Sequence, residues 1–223
     1  MMGIEDRTRA LLAAIPPHVQ VVAAAKTRTA DEIRAALVGG VCIVGENYVQ
    51  EAAAAQDAVG RDAAEWHLIG SLQRNKAKDA VRRFDLIQTV DSLRLAERLD
   101  AAGRAIGRVV PILIEVNSGR EPQKAGVLPE DVEPLARAMA NLTSIEIRGL
   151  MTLGPALETP GALRPFLDET RQRFDELARL RLPNARIAVL SMGMSDSYRE
   201  AIEAGATMIR LGTALFGPRR ERG

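Results

Sequence analysis

The sequence predicts a single α/β domain over residues 1–223, a closed (β/α)8 TIM barrel with one extra helix in front. Three observations carry that expectation. The chain has 223 residues, within the roughly 200 to 250 that one such barrel takes. Short apolar runs alternate along it with amphipathic stretches, the pattern of consecutive strand–helix units. The runs are nearly continuous in apolar residues, as in parallel strands covered by helices, rather than alternating as in half-exposed strands.

The extra helix spans Ile4–Ile15. Strand-like runs follow at Val19–Ala25, Val41–Val44, Trp66–Ile69, Leu86–Val90, Val109–Val116, Ile145–Met151, Arg186–Ser191 and Thr207–Leu211. Helical periodicity fills intervals such as Thr29–Val38, Ser92–Ile106, Pro129–Ala140 and Ala162–Leu180, where apolar residues recur every three or four positions. An open doubly wound sheet is the competing arrangement. Its dinucleotide-binding version needs a Gly-x-Gly-x-x-Gly turn, which no strand–helix junction here carries.

Composition narrows the function. Net charge is +1, with no basic or acidic block, so nucleic acid meets no electrostatic footprint. The apolar runs fall far short of the roughly 20 residues a spanning helix needs, and Met1–Arg9 has no signal-peptide pattern. One cysteine forms no internal disulfide, and one cysteine with two histidines makes no ordinary zinc site. Cys42 reads as a small hydrophobe within a strand. A cytoplasmic monomer is expected.

In such barrels chemistry gathers on the loops after the carboxyl ends of the strands. Strand 1 ends in Lys26, strand 2 in Gly45-Glu46-Asn47-Tyr48, strand 5 in Glu115 and Asn117, strand 7 in Ser191-Met192-Gly193-Met194-Ser195, and strand 8 in Arg210-Leu211-Gly212-Thr213. Side-chain alternation puts Val22, Ala24 and Lys26 on one face. If that face is the interior, the lysine emerges among small residues as an amine nucleophile for an aldehyde; otherwise it simply ends a strand in solvent. Met208, Arg210 and Gly212 share a face in the same way, and an inward arginine is expensive unless it meets an acceptor. Gly212–Gly217 offers free backbone N–H groups and the Thr213 hydroxyl, in the loop region where this fold commonly holds phosphate. Gly193 and Ser195 adjoin it. Ser195 and Ser197 open the next helix, whose amino terminus favours an anion, although either serine could be no more than a cap. A reactive amine, a phosphate cradle and an inward arginine point to one ligand, pyridoxal 5'-phosphate.

These residues resemble the pyridoxal phosphate homeostasis protein family from about Val21 to Phe216. The marks are Ala25-Lys26-Thr27, Gly45-Glu46-Asn47-Tyr48-Val49-Gln50-Glu51, Trp66-His67-Leu68-Ile69-Gly70-Ser71-Leu72-Gln73 with Asn75-Lys76, Val116-Asn117, Lys124-Ala125-Gly126, Arg148-Gly149-Leu150-Met151, Leu190-Ser191-Met192-Gly193-Met194-Ser195, and Ile209-Arg210-Leu211-Gly212-Thr213 with Phe216-Gly217. The resemblance implies a barrel like the N-terminal domain of alanine racemase. It implies a Schiff base on Lys26, Arg210 facing the pyridine nitrogen, Ser195, Gly212 and Thr213 on the phosphate, and Asn47 near the ring. Two departures stand out. Ser197 replaces the family's usual aspartate and is expected to cap a helix, and Arg74 replaces a small polar residue on the surface.

The family is known for maintaining cofactor supply, with no established reaction of its own. A racemase needs a second acid–base group opposite the lysine, supplied in alanine racemase by a tyrosine from a further C-terminal domain. Here only Tyr48 and Tyr198 exist, and neither is an obvious facing base. An arginine at the pyridine nitrogen disfavours its protonation and weakens the ring as an electron sink. The expectation is therefore a binding protein that buffers pyridoxal phosphate and passes it to apo forms of the enzymes that use it. Two alternatives remain: an amino-acid racemase-type enzyme completed in trans, and a Schiff-base aldolase acting on a sugar phosphate.

Other residues have plainer readings. His67 is a core histidine or a ring-facing donor, and His18 lies on the surface. Glu46 positions Asn47 or pairs with a cation. Lys124 is a rim lysine, either receiving the aldehyde or solvated, and Lys76 and Lys78 belong to a solvated helix face. Met151, Met192 and Met194 are expected to fill the pocket wall.

Overall fold

Eight parallel strands close on one another in chain order, β1 Gln20–Ala24, β2 Ile43–Glu46, β3 Glu65–Leu68, β4 Leu86–Val90, β5 Val110–Val116, β6 Ile145–Thr152, β7 Ala185–Ser191 and β8 Met208–Leu211. The computed structural model describes residues 2–155 and 161–218. The rest of the expected 1–223 span lies outside the described residues. Helices α1 Ile4–Ala14, α2 Ala30–Val38, α3 Val49–Val59, α4 Ala77–Arg83, α5 Leu93–Arg104, α6 Val132–Met139, α7 Arg164–Arg179, α8 Tyr198–Glu203 and α9 Thr213–Phe216 complete the order. Closure is made by β1 and β8, where Val22 pairs with Arg210. The (β/α)8 barrel is thus the fold, and the open sheet is excluded.

Two apolar layers hold it. Val22, Ile43, Leu86, Leu113, Met151, Val189 and Met208 fill the barrel interior, with Ile69 packed on them. The alternate residues, among them Ala23, Val44, Trp66, Leu68, Ile209 and Leu211, face outward into the larger layer beneath the helices. Period-two alternation along each strand generates both layers at once. It explains why the runs read as continuously apolar.

Helix starts follow local chemistry. The expected Thr29–Val38 helix begins one residue later because Thr29 is its cap. Thr29 Oγ1 accepts the Glu32 amide at 3.2 Å, and Glu32 accepts the Thr29 amide at 2.8 Å, a reciprocal capping box.

Two expectations needed correction. The second strand lies two residues later than the apolar run Val41–Val44, because Gly45 and Glu46 continue the ladder against His67 and Leu68. Glu46 is buried despite its charge, so apolarity did not mark the strand end. Cys42 precedes that strand and is exposed, not a buried strand hydrophobe.

Candidate functional site

The carboxyl ends of the strands surround a cavity of about 500 Å³. Lys26, Asn47, Ser195, Arg210, Gly212 and Thr213, the six residues singled out in the sequence, all line it. A larger groove of about 1060 Å³ runs outside the barrel between α4 and α5, and it takes no residue from any strand. The smaller cavity is the one with convergent chemistry.

Lys26 is placed by a turn. The Arg28 amide donates to the Ala25 carbonyl at 2.8 Å, and Thr27 takes a φ of 65°. That left-handed conformation costs a β-branched residue about 1 to 2 kcal/mol, so the turn held between β1 and α2 must impose it. The Lys26 ammonium stands 5.7 Å from the centroid of the Tyr48 ring. Arg28 lines the same cavity. It ties the turn down by donating to the Gly217 carbonyl at 2.6 Å and to Glu32 at 3.3 Å.

Asn47 follows β2, and its approach to the next loop depends on Gly70. A Cβ at Gly70 would lie 2.4 Å from the Asn47 carbonyl oxygen, closer than any side chain permits. Beneath Asn47, burial pushes the Glu46 carboxyl up to about 7, with Glu51 adding to the rise and the Asn47 amide opposing it. Among the described residues Glu46 joins no ion pair, so the cation partner considered for it is not found. Its Oε2 has no hydrogen-bond partner, and the Asn47 amide bears on it only by opposing the rise of its pKa.

The loops after β7 and β8 meet at Ser195. Its Oγ accepts the Gly212 amide at 3.2 Å and the Ala214 amide at 3.1 Å. The amides of Leu215 and Phe216 turn back to the Gly212 carbonyl, and that of Gly217 to Thr213. The Gly212–Gly217 segment therefore does not offer a row of free amides. Among the donors of these residues, only the Thr213 amide and hydroxyl lack a partner in the described structure. Gly193, at φ 93°, lets the β7 loop pass close to α8, where a Cβ would stand 2.5 Å from that of Ala201. Ser197 does not cap α8 with its side chain as expected; its hydroxyl accepts the Met194 amide at 3.1 Å instead.

Arg210 is 3% exposed. It donates to Ser191 Oγ at 2.6 Å and to the Thr152 carbonyl at 2.7 Å. Burial lowers its pKa to about 10, with Glu115 opposing the shift. Glu115 lines the cavity as well. Burial and the neighbouring Asp91 raise its carboxyl to about 7, and its Oε2 has no hydrogen-bond partner. The acceptors that an inward arginine demands are thus present.

Several side chains lie elsewhere than expected. Of the three methionines, only Met194 lines the cavity; Met151 lies in the barrel interior and Met192 in the outer layer. Lys124 lines the cavity but is held there, donating to the Gly154 carbonyl at 3.0 Å and pairing with Glu121. His67 is a fully buried, hydrogen-bonded core histidine, while His18, Arg74 and Lys78 are exposed as expected. Sequence reasoning gave no role to Arg28, Gln88 or Glu115. The available signal for the last two was a polar residue inside an apolar strand run. Among the described residues no helix is long and apolar enough to cross a membrane, and no group of His, Cys, Asp or Glu is placed to hold a metal ion.

Comparison with known proteins bears on the family and the fold. The family model described as alanine racemase, N-terminal domain, matches residues 3–220. The pyridoxal phosphate homeostasis protein of Aquifex aeolicus is 39% identical over 201 residues, covering 90% of this chain and 87% of that one. PipY of Synechococcus elongatus, solved with PLP bound, superposes with a TM-score of 0.88 at 39% identity, covering 96% of this chain and all of that one (100%). Alanine racemase of Clostridium difficile superposes at 0.80 with 14% identity over 98% of this chain and 56% of its own length, a likeness of fold. The chain belongs to the pyridoxal phosphate homeostasis protein family, built on the barrel of the alanine racemase N-terminal domain.

Proposed function

We propose that this chain binds pyridoxal 5'-phosphate at the carboxyl rim of the barrel, as a Schiff base on Lys26, and serves as one unit to buffer the cofactor and deliver it to apoenzymes. The observation that carries this reading is the convergence of an amine, a buried guanidinium and a hydroxyl–amide cluster on one cavity. The residues fit the group. Lys26 supplies the nitrogen for the aldehyde. Ser195, Gly212 and Thr213 supply donors for the phosphate, with the unpartnered Thr213 amide and hydroxyl available first. Arg210 supplies a cation for the pyridine nitrogen, and Asn47 a polar wall beside the ring. Glu115, with an orphaned oxygen, leaves one further acceptor for the ligand to satisfy. The names of the relatives and the PLP-bound PipY structure support the same reading.

When bound, the cofactor supplies an electrophilic aldehyde and an electron-withdrawing ring. The chain's own residues orient that group, and among the described residues the one buried acid that lines the cavity, Glu115, stands beside Arg210. Turnover is therefore not proposed. One observation favours the enzyme alternative: Tyr48 stands beside Lys26. Tyr48 is 51% exposed, however, and a wet phenol is poorly placed for proton exchange at a carbanion.

The test is spectroscopic. Purified protein mixed with pyridoxal 5'-phosphate should gain a visible absorption band that borohydride bleaches, with the label mapped to Lys26 and lost in Lys26→Ala. An unlabelled Lys26 at saturating cofactor would overturn the reading. Racemisation of D- or L-alanine at enzymatic rates would replace buffering by catalysis.

A further inference from the structure

A polar string crosses the otherwise apolar barrel interior, from the cavity to the opposite mouth. It runs from Arg210 on β8 through Ser191 on β7, Gln88 on β4 and His67 on β3, and ends at Glu65, the first residue of β3. Arg210 Nη1 donates to Ser191 Oγ at 2.6 Å, and the Ser191 hydroxyl donates to Gln88 Oε1 at 2.7 Å. Gln88 Nε2 lies 2.9 Å from His67 Nδ1, and His67 Nε2 lies 2.9 Å from Glu65 Oε1. The first four members are buried, whereas the Glu65 side chain is 49% exposed. All strands point their carboxyl ends at the cavity, so Glu65 sits at the far mouth.

With a neutral imidazole at His67, chemistry gives every bond one direction. A carboxylate only accepts, so His67 Nε2 must carry the hydrogen facing Glu65. A neutral imidazole then has its lone pair at Nδ1, which requires the amide nitrogen of Gln88. That turns the Gln88 oxygen toward Ser191 and commits the serine hydrogen to it. The serine lone pair is then left to take the Arg210 N–H. Met208 Sδ, 3.2 Å from Gln88 Nε2, lies beside the other amide hydrogen and opposes a flip of the carboxamide. The hydrogen bond from His67 holds the Glu65 carboxyl below the usual carboxylate range, so the acceptor end stays charged. A buried string whose donors all point one way reinforces itself, and breaking one link leaves costly unpaired groups.

We propose that Ser191, Gln88 and His67 are positioning residues that act through Arg210 on the bound pyridine ring, with Glu65 setting the direction of the string from the far mouth of the barrel. The proposal rests on the functional reading above, because Arg210 is its only member that reaches the cavity.

The half-exposed end allows a test that leaves the buried members untouched. Glu65→Gln keeps an acceptor for His67, whereas Glu65→Lys presents only donors and should force the His67 hydrogen onto Nδ1. Asp62→Lys, at an exposed position just before β3, controls for the charge change. Nitrogen-15 NMR of the cofactor-free protein reads the tautomer directly, with His67 one of only two histidines. The hydrogen should sit on Nε2 in the wild type, Glu65→Gln and Asp62→Lys, and on Nδ1 in Glu65→Lys. Titration with pyridoxal 5'-phosphate should then show Glu65→Lys binding about 10-fold more weakly, the loss expected for a disturbed charge-assisted hydrogen bond, with the absorption band of the bound cofactor displaced. Glu65→Gln and Asp62→Lys should match the wild type.

Ser191→Ala cuts the string beside Arg210 and should weaken binding similarly. Glu65→Lys added to it should change little more, as expected for coupled links. If Glu65→Lys fails to fold, the Ser191→Ala binding defect and the wild-type tautomer decide alone. A wild-type His67 with its hydrogen on Nδ1, a switched tautomer with unchanged affinity and band, or fully additive losses would each overturn the proposal. Wild-type protein that takes up no cofactor would overturn the functional reading and this proposal together, whereas the tautomer measurement would still report whether the string is directed.

Discussion

Ser195 Oγ accepts the Gly212 amide at 3.2 Å and joins the loop after β7 to the loop after β8. The same oxygen takes the Ala214 amide at 3.1 Å, so one hydroxyl organises two donors at the rim of the cavity. Ser195→Ala leaves both donors without their acceptor and removes a hydroxyl assigned to the phosphate. Affinity for pyridoxal 5'-phosphate should fall by about 10-fold, equivalent to roughly 1 to 2 kcal/mol, while pyridoxal without phosphate should be affected much less. Equal losses for the two ligands in parallel titrations would remove Ser195 from the phosphate site.

Glu115 makes cofactor affinity depend on pH. Its carboxyl is raised to about 7 by burial and by Asp91, against the pull of Arg210, so it is neutral at pH 6 and ionised at pH 8. Ionisation adds a negative charge to the cavity proposed to accept an anionic phosphate. Affinity for pyridoxal 5'-phosphate should therefore fall from pH 6 to pH 8, by several-fold at an effective dielectric of about 20. Glu115→Gln should flatten that part of the profile. The comparison of the two proteins isolates Glu115 from the ligand's own ionisation; superimposable profiles would contradict the assignment.

Glu46 makes the stability of the cofactor-free barrel depend on pH in the opposite sense from an ordinary salt-bridged acid. Its folded-state pKa is about 7, above its ordinary value of 4.5, so between those values the folded chain binds more protons than the unfolded one. Stability then falls as pH rises through that window, in total by about 3 kcal/mol for this group. Glu46→Gln retains an acceptor for the Asn47 amide and removes the charge. Thermal melts should show the variant more stable than wild type at pH 8, with the difference shrinking as pH falls toward 4; a variant less stable at pH 8 would show that Glu46 is held ionised.

Much of the fold was legible because burial on both faces writes itself into composition. Runs such as Leu86–Val90 and Val109–Val116 could hardly be anything but covered strands, and their order set the barrel. The pocket residues were legible through alternation, since Val22 inside requires Lys26 at the rim, and Met208 inside requires Arg210. Legibility failed where polarity and position disagreed. Glu46 is charged yet completes a strand, Cys42 is apolar yet exposed, and Gln88 sits in an apolar run because its partners are inside the barrel. Met192, one residue along from Ser191, faces the helices rather than the cavity for the same period-two reason that aims Arg210 inward.

The linear order of residues alone determined the barrel, the rim at which chemistry gathers, and the candidates Lys26, Ser195, Arg210, Gly212 and Thr213, because hydrophobic period and loop position are local properties of a chain; Asn47 was added by the family resemblance. The tertiary structure alone decided which amides Ser195 holds, that Lys124 is tied to Gly154, and that Glu65 reaches Arg210 through three intervening side chains. Those contacts join strands far apart in sequence, and only closure of the barrel brings them within hydrogen-bond range.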